Sequence, residues 1–137
     1  MIVWGGIMLE EIVHPITEPE GERRRPLVPD ISYVSNERLR GHTAEELEAP
    51  AFAPNVTVEV LSPRDEARDV ASKVDVYLRG GVELVIIADP RARTLALHDD
   101  SGSVRVLAAG DVLRHSALPD IELDVAGLFA RALNLTF

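Results

Sequence analysis

The sequence predicts an α/β fold in which helices flank a mixed β-sheet. Two strand patterns, at residues 56–61 and 82–88, enclose a helical pattern, and a strand-helix-strand unit of this length gives a parallel pair through a right-handed crossover. Two further short strands, at residues 94–98 and 104–107, are joined by a polar loop and predict an antiparallel hairpin. Parallel and antiparallel neighbours together make the sheet mixed.

Length and composition indicate one soluble domain. The 137 residues allow a true hydrophobic core but are too few for two domains. Hydrophobic residues make up 46% of the chain and charged residues 27%, as in soluble globular proteins. The sequence has no cysteine, which excludes disulfides and thiolate metal sites. The apolar residues 1–8 lack the basic leader and the length of a signal peptide or a membrane span, so we expect a cytoplasmic protein outside the membrane.

The net charge of −9 argues against simple nucleic-acid binding, which is driven largely by cations that neutralise phosphates. The arginines are unevenly distributed, however. Those before residue 80 are Arg23, Arg24, Arg25, Arg38, Arg40, Arg64, Arg68 and Arg79. A local basic surface in this part of the chain therefore stays open as an interpretation.

The beginning of the chain allows two interpretations. Residues 2–4 are typical of a strand, whereas the apolar positions in residues 7–13 fit a short amphipathic helix. The arginines at residues 23–25 follow a turn and fit either a solvated loop or a contact with phosphate. The sequence does not decide between these alternatives.

Asp30 opens the first clear strand. It follows a proline, so the chain enters it in an extended conformation, and residues 30–34 alternate as a strand does. Farther along, Thr43 with Glu46 three positions later forms a capping pattern. This pattern predicts a short acidic helix at residues 43–48, which we interpret as a surface insertion.

Glu59 interrupts an otherwise apolar, β-branched strand at residues 56–61. Side chains alternate along a strand, so Glu59 shares a face with Thr57 and Leu61 and points where its neighbours indicate cover. A covered carboxylate needs a partner.

A helix is predicted directly after this strand. Ser62 offers an N-cap, Pro63 suits the first helical position, and acidic residues follow in the first turn. The glycines at residues 80–81 end the helix after about four to five turns. Its apolar stripe consists of Ala67, Val70, Ala71, Val74 and Leu78.

Lys73 is the only lysine in the sequence. On the predicted helix it lies beside the apolar stripe, on the side that also carries Tyr77. If the helix folds back along the preceding strand, the long side chain of Lys73 can reach Glu59. We interpret Tyr77 as a core residue.

The remainder of the chain completes the sheet and adds a last helix. Residues 82–88 form a second buried strand, residues 89–92 a turn, and the hairpin follows. Asp124 then caps a helix at residues 125–133. Its predicted core residues are Val125, Leu128, Phe129 and Leu133.

Three motifs follow one another along the sequence: Pro29-Asp30 before a strand, VEVLSP at residues 58–63, and a helix with Lys73 followed by Tyr-Leu and two glycines. Together they resemble the Uma-type family of restriction endonucleases, a branch of the PD-(D/E)XK nuclease superfamily. The resemblance covers residues 29–129. It implies a single domain at residues 1–137 with a restriction-endonuclease-like fold, in which residues 1–28 are a divergent or shortened N-terminal segment.

The resemblance also implies site residues. Asp30 matches the first motif aspartate, and Glu59 matches the acidic residue of the second motif. Leu61 stands two positions after Glu59, where many superfamily members carry a lysine, so the resemblance implies that the lysine has moved to Lys73. Mg²⁺ or Mn²⁺ would then be bound by Asp30 and Glu59, because hard cations prefer carboxylates. Lys73 would orient water or stabilise negative charge on the phosphate.

The residues alone leave simpler interpretations open. Glu59 and Lys73 also fit an ion pair that ties helix to strand without a metal, and Asp30 fits a turn cap. The predicted function is metal-dependent cleavage of DNA by a homodimer. The alternative is a catalytically inactive module of the same fold that acts in dimerisation or partner binding, which the acidic charge favours.

Overall fold

A computed structural model describes residues 2–3, 6–10, 28–43, 45–46 and 52–134 of the protein. In these residues a mixed β-sheet lies between helices, which confirms the predicted α/β fold. None of the described helices is both long and apolar enough to cross a membrane.

The main sheet contains seven strands in sequential order. They are β1 (Ile2–Val3), β2 (Gly6–Glu10), β3 (Ile31–Ser35), β4 (Val56–Val60), β5 (Leu84–Asp89), β6 (Thr94–Asp99) and β7 (Val104–Leu107). β4 and β5 are parallel, and the other neighbours are antiparallel. The parallel pair and the hairpin were both predicted correctly. Of the two interpretations of the first residues, the strand is correct for β1, and β2 overlaps the segment in which a helix was considered.

Smaller elements surround this sheet. β8 (Val112–Leu113) and β9 (Leu123–Asp124) form a two-stranded sheet, and the helices are α1 (Asn36–Leu39), α2 (Ala67–Arg79) and α3 (Val125–Asn134). Residues 45–46 are helical, and the Glu46 N–H donates to Thr43 Oγ1 at 3.3 Å, as the capping pattern predicted. The rest of the helix predicted at residues 43–48 lies outside the described residues.

Hydrophobic clusters cover both faces of the sheet, because side chains alternate along each strand. On one face, Val56 and Leu84 pack in a cluster with Phe129 of α3. On the other face, Val85 and Ile87 pack with α2 in a cluster that includes Val74, Val76 and Tyr77. Glu59 alternates with the first set and therefore faces α2, as predicted.

The predicted start of α2 is wrong. Residues 62–65 form a turn instead, in which the Asp65 N–H donates to the Ser62 carbonyl at 3.1 Å and the Ser62 N–H donates to Asp65 Oδ2 at 2.7 Å. The Asp65 carboxylate accepts from the backbone of this turn and so favours it over a first helical turn. The helix therefore begins only at Ala67. It has 13 residues, or about three and a half turns, not four to five.

The ends of the helices follow their glycine and aspartate signals. Gly81, with φ of +104°, supplies the left-handed residue after α2. At the start of α3, the Gly127 N–H donates to Asp124 Oδ2 at 3.3 Å, which confirms the predicted cap.

The prediction of a core position for Leu128 is wrong, since the residue is 37% exposed. The side chain of Leu133 lies outside the described part of the chain.

Candidate active site

Asp30 and Glu59 lie opposite each other where β3 enters the sheet and β4 leaves it. The register pairs Ile31 with Val58, so the next pair in the same antiparallel series is Asp30 with Glu59. Opposite residues of an antiparallel pair project from the same face. The Val60 N–H donates to Asp30 Oδ2 at 2.7 Å, which holds the Asp30 carboxylate against the end of β4. The structure thus brings together two acids that are distant in sequence.

Glu59 is buried, with only 9% of its surface exposed. Burial raises the pKa of Glu59 because it removes water from the charged form. A hydrogen bond from Tyr77 and the charge of Lys73 lower the pKa of Glu59, and the negative charges of Asp30 and Asp65 raise it. On balance the pKa of Glu59 is raised, which means that the groups around the buried carboxylate do not fully compensate the loss of water from its charged form.

Tyr77 is the direct partner of Glu59. Its hydroxyl donates to Glu59 Oε1 at 2.6 Å, and its side chain is fully buried. Burial, followed by the adjacent Glu59, raises the pKa of Tyr77, so the phenol keeps its proton and remains a donor. Sequence analysis treated Tyr77 only as a core residue. Its place one helical turn after Lys73, on the same side of α2, was the signal that it belongs to this site.

Lys73 lies on α2 and lines the same cleft as Glu59, but its side chain is exposed. It forms no ion pair with any residue that the structure describes. Its positive charge nevertheless lowers the pKa of both Glu59 and Asp65. The considered ion pair between Glu59 and Lys73 is therefore absent, and the ammonium remains available in the cleft.

The cleft has a volume of about 360 Å³ and opens between the end of β4 and the first turns of α2. Its polar lining consists of Glu59, Asp65, Asp69, Ser72 and Lys73. Leu61, at the position where a motif lysine was considered, packs against the hydrophobic cluster beneath α2. In this cleft an ammonium can therefore come from α2 but not from residue 61.

The two carboxylates suit a divalent cation that keeps most of its water. One oxygen of Asp30 accepts from Val60 and one of Glu59 accepts from Tyr77, while the second oxygen of each has no hydrogen bond from a described residue. Mg²⁺ takes one or two protein carboxylates and completes its shell with water and substrate oxygens. The described residues contain no group of three or more His, Asp or Glu side chains placed to hold a metal ion. The donor set therefore fits Mg²⁺ or Mn²⁺ shared with water, and not a cation enclosed by protein.

Comparisons with known proteins agree with this fold. A family model described as "Uma2: Putative restriction endonuclease" matches residues 14–126. A solved structure from Anabaena variabilis ATCC 29413, described as "a putative nuclease belonging to DUF820", is similar with a TM-score of 0.74 and 21% identity. The likeness covers 91% of this chain and 68% of that chain, and at this identity it shows the fold alone. No curated protein matches the chain. The predicted restriction-endonuclease-like fold is confirmed.

Proposed function

The chain belongs to the Uma2 family, and we propose that it is a metal-dependent endonuclease that hydrolyses phosphodiester bonds in DNA. The family assignment and the fold support a nuclease. One observation carries the finer proposal. Asp30 and Glu59 lie opposite each other at one edge of the sheet, and Lys73 lines the cleft beside Glu59.

In this proposal, Asp30 and Glu59 hold Mg²⁺ or Mn²⁺. When bound, such a cation polarises a phosphoryl oxygen and lowers the pKa of a water ligand. The Val60 N–H and the Tyr77 hydroxyl each occupy one oxygen of these carboxylates and so fix their orientation. In this proposal the other oxygen of each carboxylate binds the cation.

Lys73 has a separate role in this proposal. Its ammonium forms no ion pair with a described residue, so it can approach a phosphate in the cleft without first breaking a salt bridge. A positive charge at this place stabilises the negative charge that develops on the phosphoryl oxygens during attack by water.

The proposal is tested by nicking of supercoiled plasmid in Mg²⁺ or Mn²⁺. We expect Asp30→Asn and Glu59→Gln to reduce the rate by about a hundredfold or more, because loss of a carboxylate ligand removes several kcal/mol of stabilisation. Lys73→Ala should also reduce the rate. Asp75→Asn is the control, since Asp75 is exposed on α2 and pairs with Arg79. Equal nicking by wild type and the site variants would reject the nuclease.

Metal binding is tested separately by thermal unfolding with and without Mn²⁺. A cation that binds only the folded chain raises the melting temperature. The shift should be present in wild type and Asp75→Asn and absent in Glu59→Gln, which keeps an oxygen for the Tyr77 hydroxyl. A shift that persists in Glu59→Gln would place the cation elsewhere.

A second candidate function is a catalytically inactive module that dimerises. It is favoured by Val104 and Val106, which are 54% and 60% exposed on β7, the strand at one edge of the main sheet. Exposed apolar side chains on an edge strand are a common basis for association. Sedimentation of wild type beside Val106→Lys tests the homodimer. A dimer that does not nick plasmid with either Mg²⁺ or Mn²⁺ would favour the inactive module.

The cytoplasmic location of the protein stays a prediction.

A further inference from the structure

Of the arginines that the structure describes, three have an ion pair and seven have none, the seven being Arg40, Arg64, Arg68, Arg91, Arg93, Arg105 and Arg131. Arg38, Arg79 and Arg114 each form an ion pair with a glutamate or an aspartate. Arg91 and Arg93, in the turn between β5 and β6, are exposed, and neither side chain forms an ion pair or hydrogen bond within the described ranges. Within the described part of the chain, no acidic side chain therefore neutralises their positive charges.

The turn that carries these two arginines is well defined. Asp89 Oδ1 accepts from the N–H groups of Arg91 and Ala92, at 3.0 and 3.1 Å. The acid within the turn thus binds the backbone instead of a guanidinium. β5 and β6 are paired without interruption from Leu84 with Asp99 to Asp89 with Thr94, so the turn sits on a continuous ladder.

Arg93 adopts a backbone conformation that favours other residues. Its φ is +54°, in the left-handed region, which is strained for a residue with a side chain relative to glycine. Asparagine or glycine would fit this position with less strain. The chain has an arginine there, so the turn presents a cation at a position where conformation alone would not select it.

The turn lies at the same edge of the sheet as Glu59. β4 and β5 are parallel, so their carboxyl ends coincide, and Glu59 is in register with Ile87. Asp89 is two residues beyond Ile87, which places its Cα about 8 Å from that of Glu59 by ordinary strand spacing. Arg91 and Arg93 therefore lie in the turn that follows β5, the strand paired with the end of β4 that carries Glu59.

We propose that Arg91 and Arg93 bind backbone phosphates of duplex DNA beside the phosphodiester that is placed at Glu59. This inference rests on the proposed nuclease function. A guanidinium is always charged and matches phosphate oxygens with paired donors. The net charge of −9 disfavours binding to DNA, so attraction must come from local cations, and those of Arg91 and Arg93 have no acidic partner among the described residues.

The test measures binding of a fluorescent duplex by anisotropy in EDTA, at several NaCl concentrations. The test variant combines Arg91→Gln with Arg93→Asn, because asparagine tolerates the left-handed backbone. We expect binding to weaken by about tenfold or more, and the slope of log Kd against log [NaCl] to fall by about two, since each phosphate contact contributes about 0.9. Circular dichroism and urea unfolding should show an intact fold.

The control variant combines Arg40→Gln with Arg131→Gln. Both residues are exposed, Arg40 follows α1 at the opposite end of the sheet, and Arg131 lies on α3. The control removes the same net charge as the test variant. The proposal requires that its affinity and salt slope remain near those of wild type.

Three results would be read differently. If wild type nicks plasmid but the test variant binds as wild type does, the inference is overturned and the nuclease stands. If the two arginines set the salt slope but wild type never nicks, the phosphate contact stands and the nuclease falls. If wild type does not bind the duplex, or the control weakens binding as much as the test variant, the inference is overturned.

Discussion

The two ends of the parallel pair β4–β5 use polar residues in opposite ways. At the amino end, the Arg38 guanidinium donates to the carbonyls of Ala53 and Pro54, both at 2.9 Å, and of Gly81 at 3.2 Å. Asn55 accepts from the Ser35 N–H at 2.8 Å. Glu83 receives a hydrogen bond from the side chain of Asn55 at 3.0 Å and an ion pair from Arg38 at 3.9 Å. These polar groups therefore satisfy one another.

At the carboxyl end, several charged side chains lie near one another without forming ion pairs with described residues. Glu59 is buried with a raised pKa, and Lys73, Arg91 and Arg93 have no ion pair among the described residues. A buried charge costs stability unless a partner compensates it, and this applies to Glu59. The polar groups at one end of the same two strands thus satisfy one another, while charged side chains at the other end have no ion pair with a described residue. For this reason we place the proposed site at the carboxyl end.

The largest expected effect is at the amino end. Arg38→Ala should lower the free energy of unfolding by about 2 to 3 kcal/mol, because it removes hydrogen bonds from a charged donor and leaves partly buried carbonyls without a partner. Urea unfolding at neutral pH measures this change. Arg40→Ala is the control, since Arg40 is exposed and its side chain has no hydrogen bond with a described residue. Equal free energies of unfolding for Arg38→Ala and Arg40→Ala would contradict a stabilising role for the hydrogen bonds of Arg38.

The carboxyl end of the parallel pair could be predicted in part from the sequence, whereas the network at the amino end was not predicted. The alternation around Glu59 placed its side chain on the covered face, and the parallel pair followed from the spacing of two strands around one helix. Asp30 was assigned through family motifs, and the register of β3 places it opposite Glu59. Such features depend on period, spacing and short motifs, which a sequence displays directly.

What sequence analysis missed depends on contacts between distant segments. The bond from Tyr77 to Glu59 joins residues 18 positions apart, and the capping role of Asp65 in the turn competed with the helix start expected at Ser62. The arginines that indicated a basic surface in the sequence all lie before residue 80, and Arg91 and Arg93 are not among them. The proposal for these two residues depends on the parallel register of β4 and β5, which places the β5–β6 turn at the same end of the sheet as Glu59.

A smaller effect compares two buried tyrosines. Tyr77→Phe should lower the free energy of unfolding by about 1 to 2 kcal/mol, because it leaves the buried Glu59 carboxylate without its donor. It should also weaken Mn²⁺ binding by about tenfold, as loss of a residue that orients a ligand does. Urea unfolding in EDTA and calorimetric titration with Mn²⁺ measure the two effects.

Tyr33→Phe is the matched control for this change. Tyr33 is 1% exposed, and its hydroxyl has no hydrogen-bond partner in the described part of the chain. Removal of an unsatisfied buried hydroxyl is neutral or stabilising. If both variants lose the same free energy of unfolding, the hydrogen bond from Tyr77 to Glu59 does not stabilise the fold, and the two tyrosines do not differ in the way expected here.

The smallest effect is a change in the pH dependence of stability. Burial raises the pKa of Glu59 above its ordinary value of 4.5, so between these two values the folded state holds a proton that the unfolded state has lost. Stability must therefore fall as pH rises through this window. Glu59→Gln keeps an acceptor for Tyr77 but cannot ionise, so in EDTA it should be more stable than wild type at pH 7 and similar to it at pH 4. Urea unfolding at both pH values measures the difference.

Glu122→Gln provides a control with the opposite sign. A hydrogen bond from Arg114 lowers the pKa of Glu122, so its ionised form stabilises the folded state above the ordinary value of 4.5, and this contribution is lost as pH falls through the lowered pKa. Glu122→Gln should therefore be slightly less stable than wild type at pH 7, since the pair is exposed and screened. If Glu59→Gln also proved less stable at pH 7, the Glu59 carboxylate would be stabilised by its surroundings, and the carboxyl end of the parallel pair would be a structural network like the amino end.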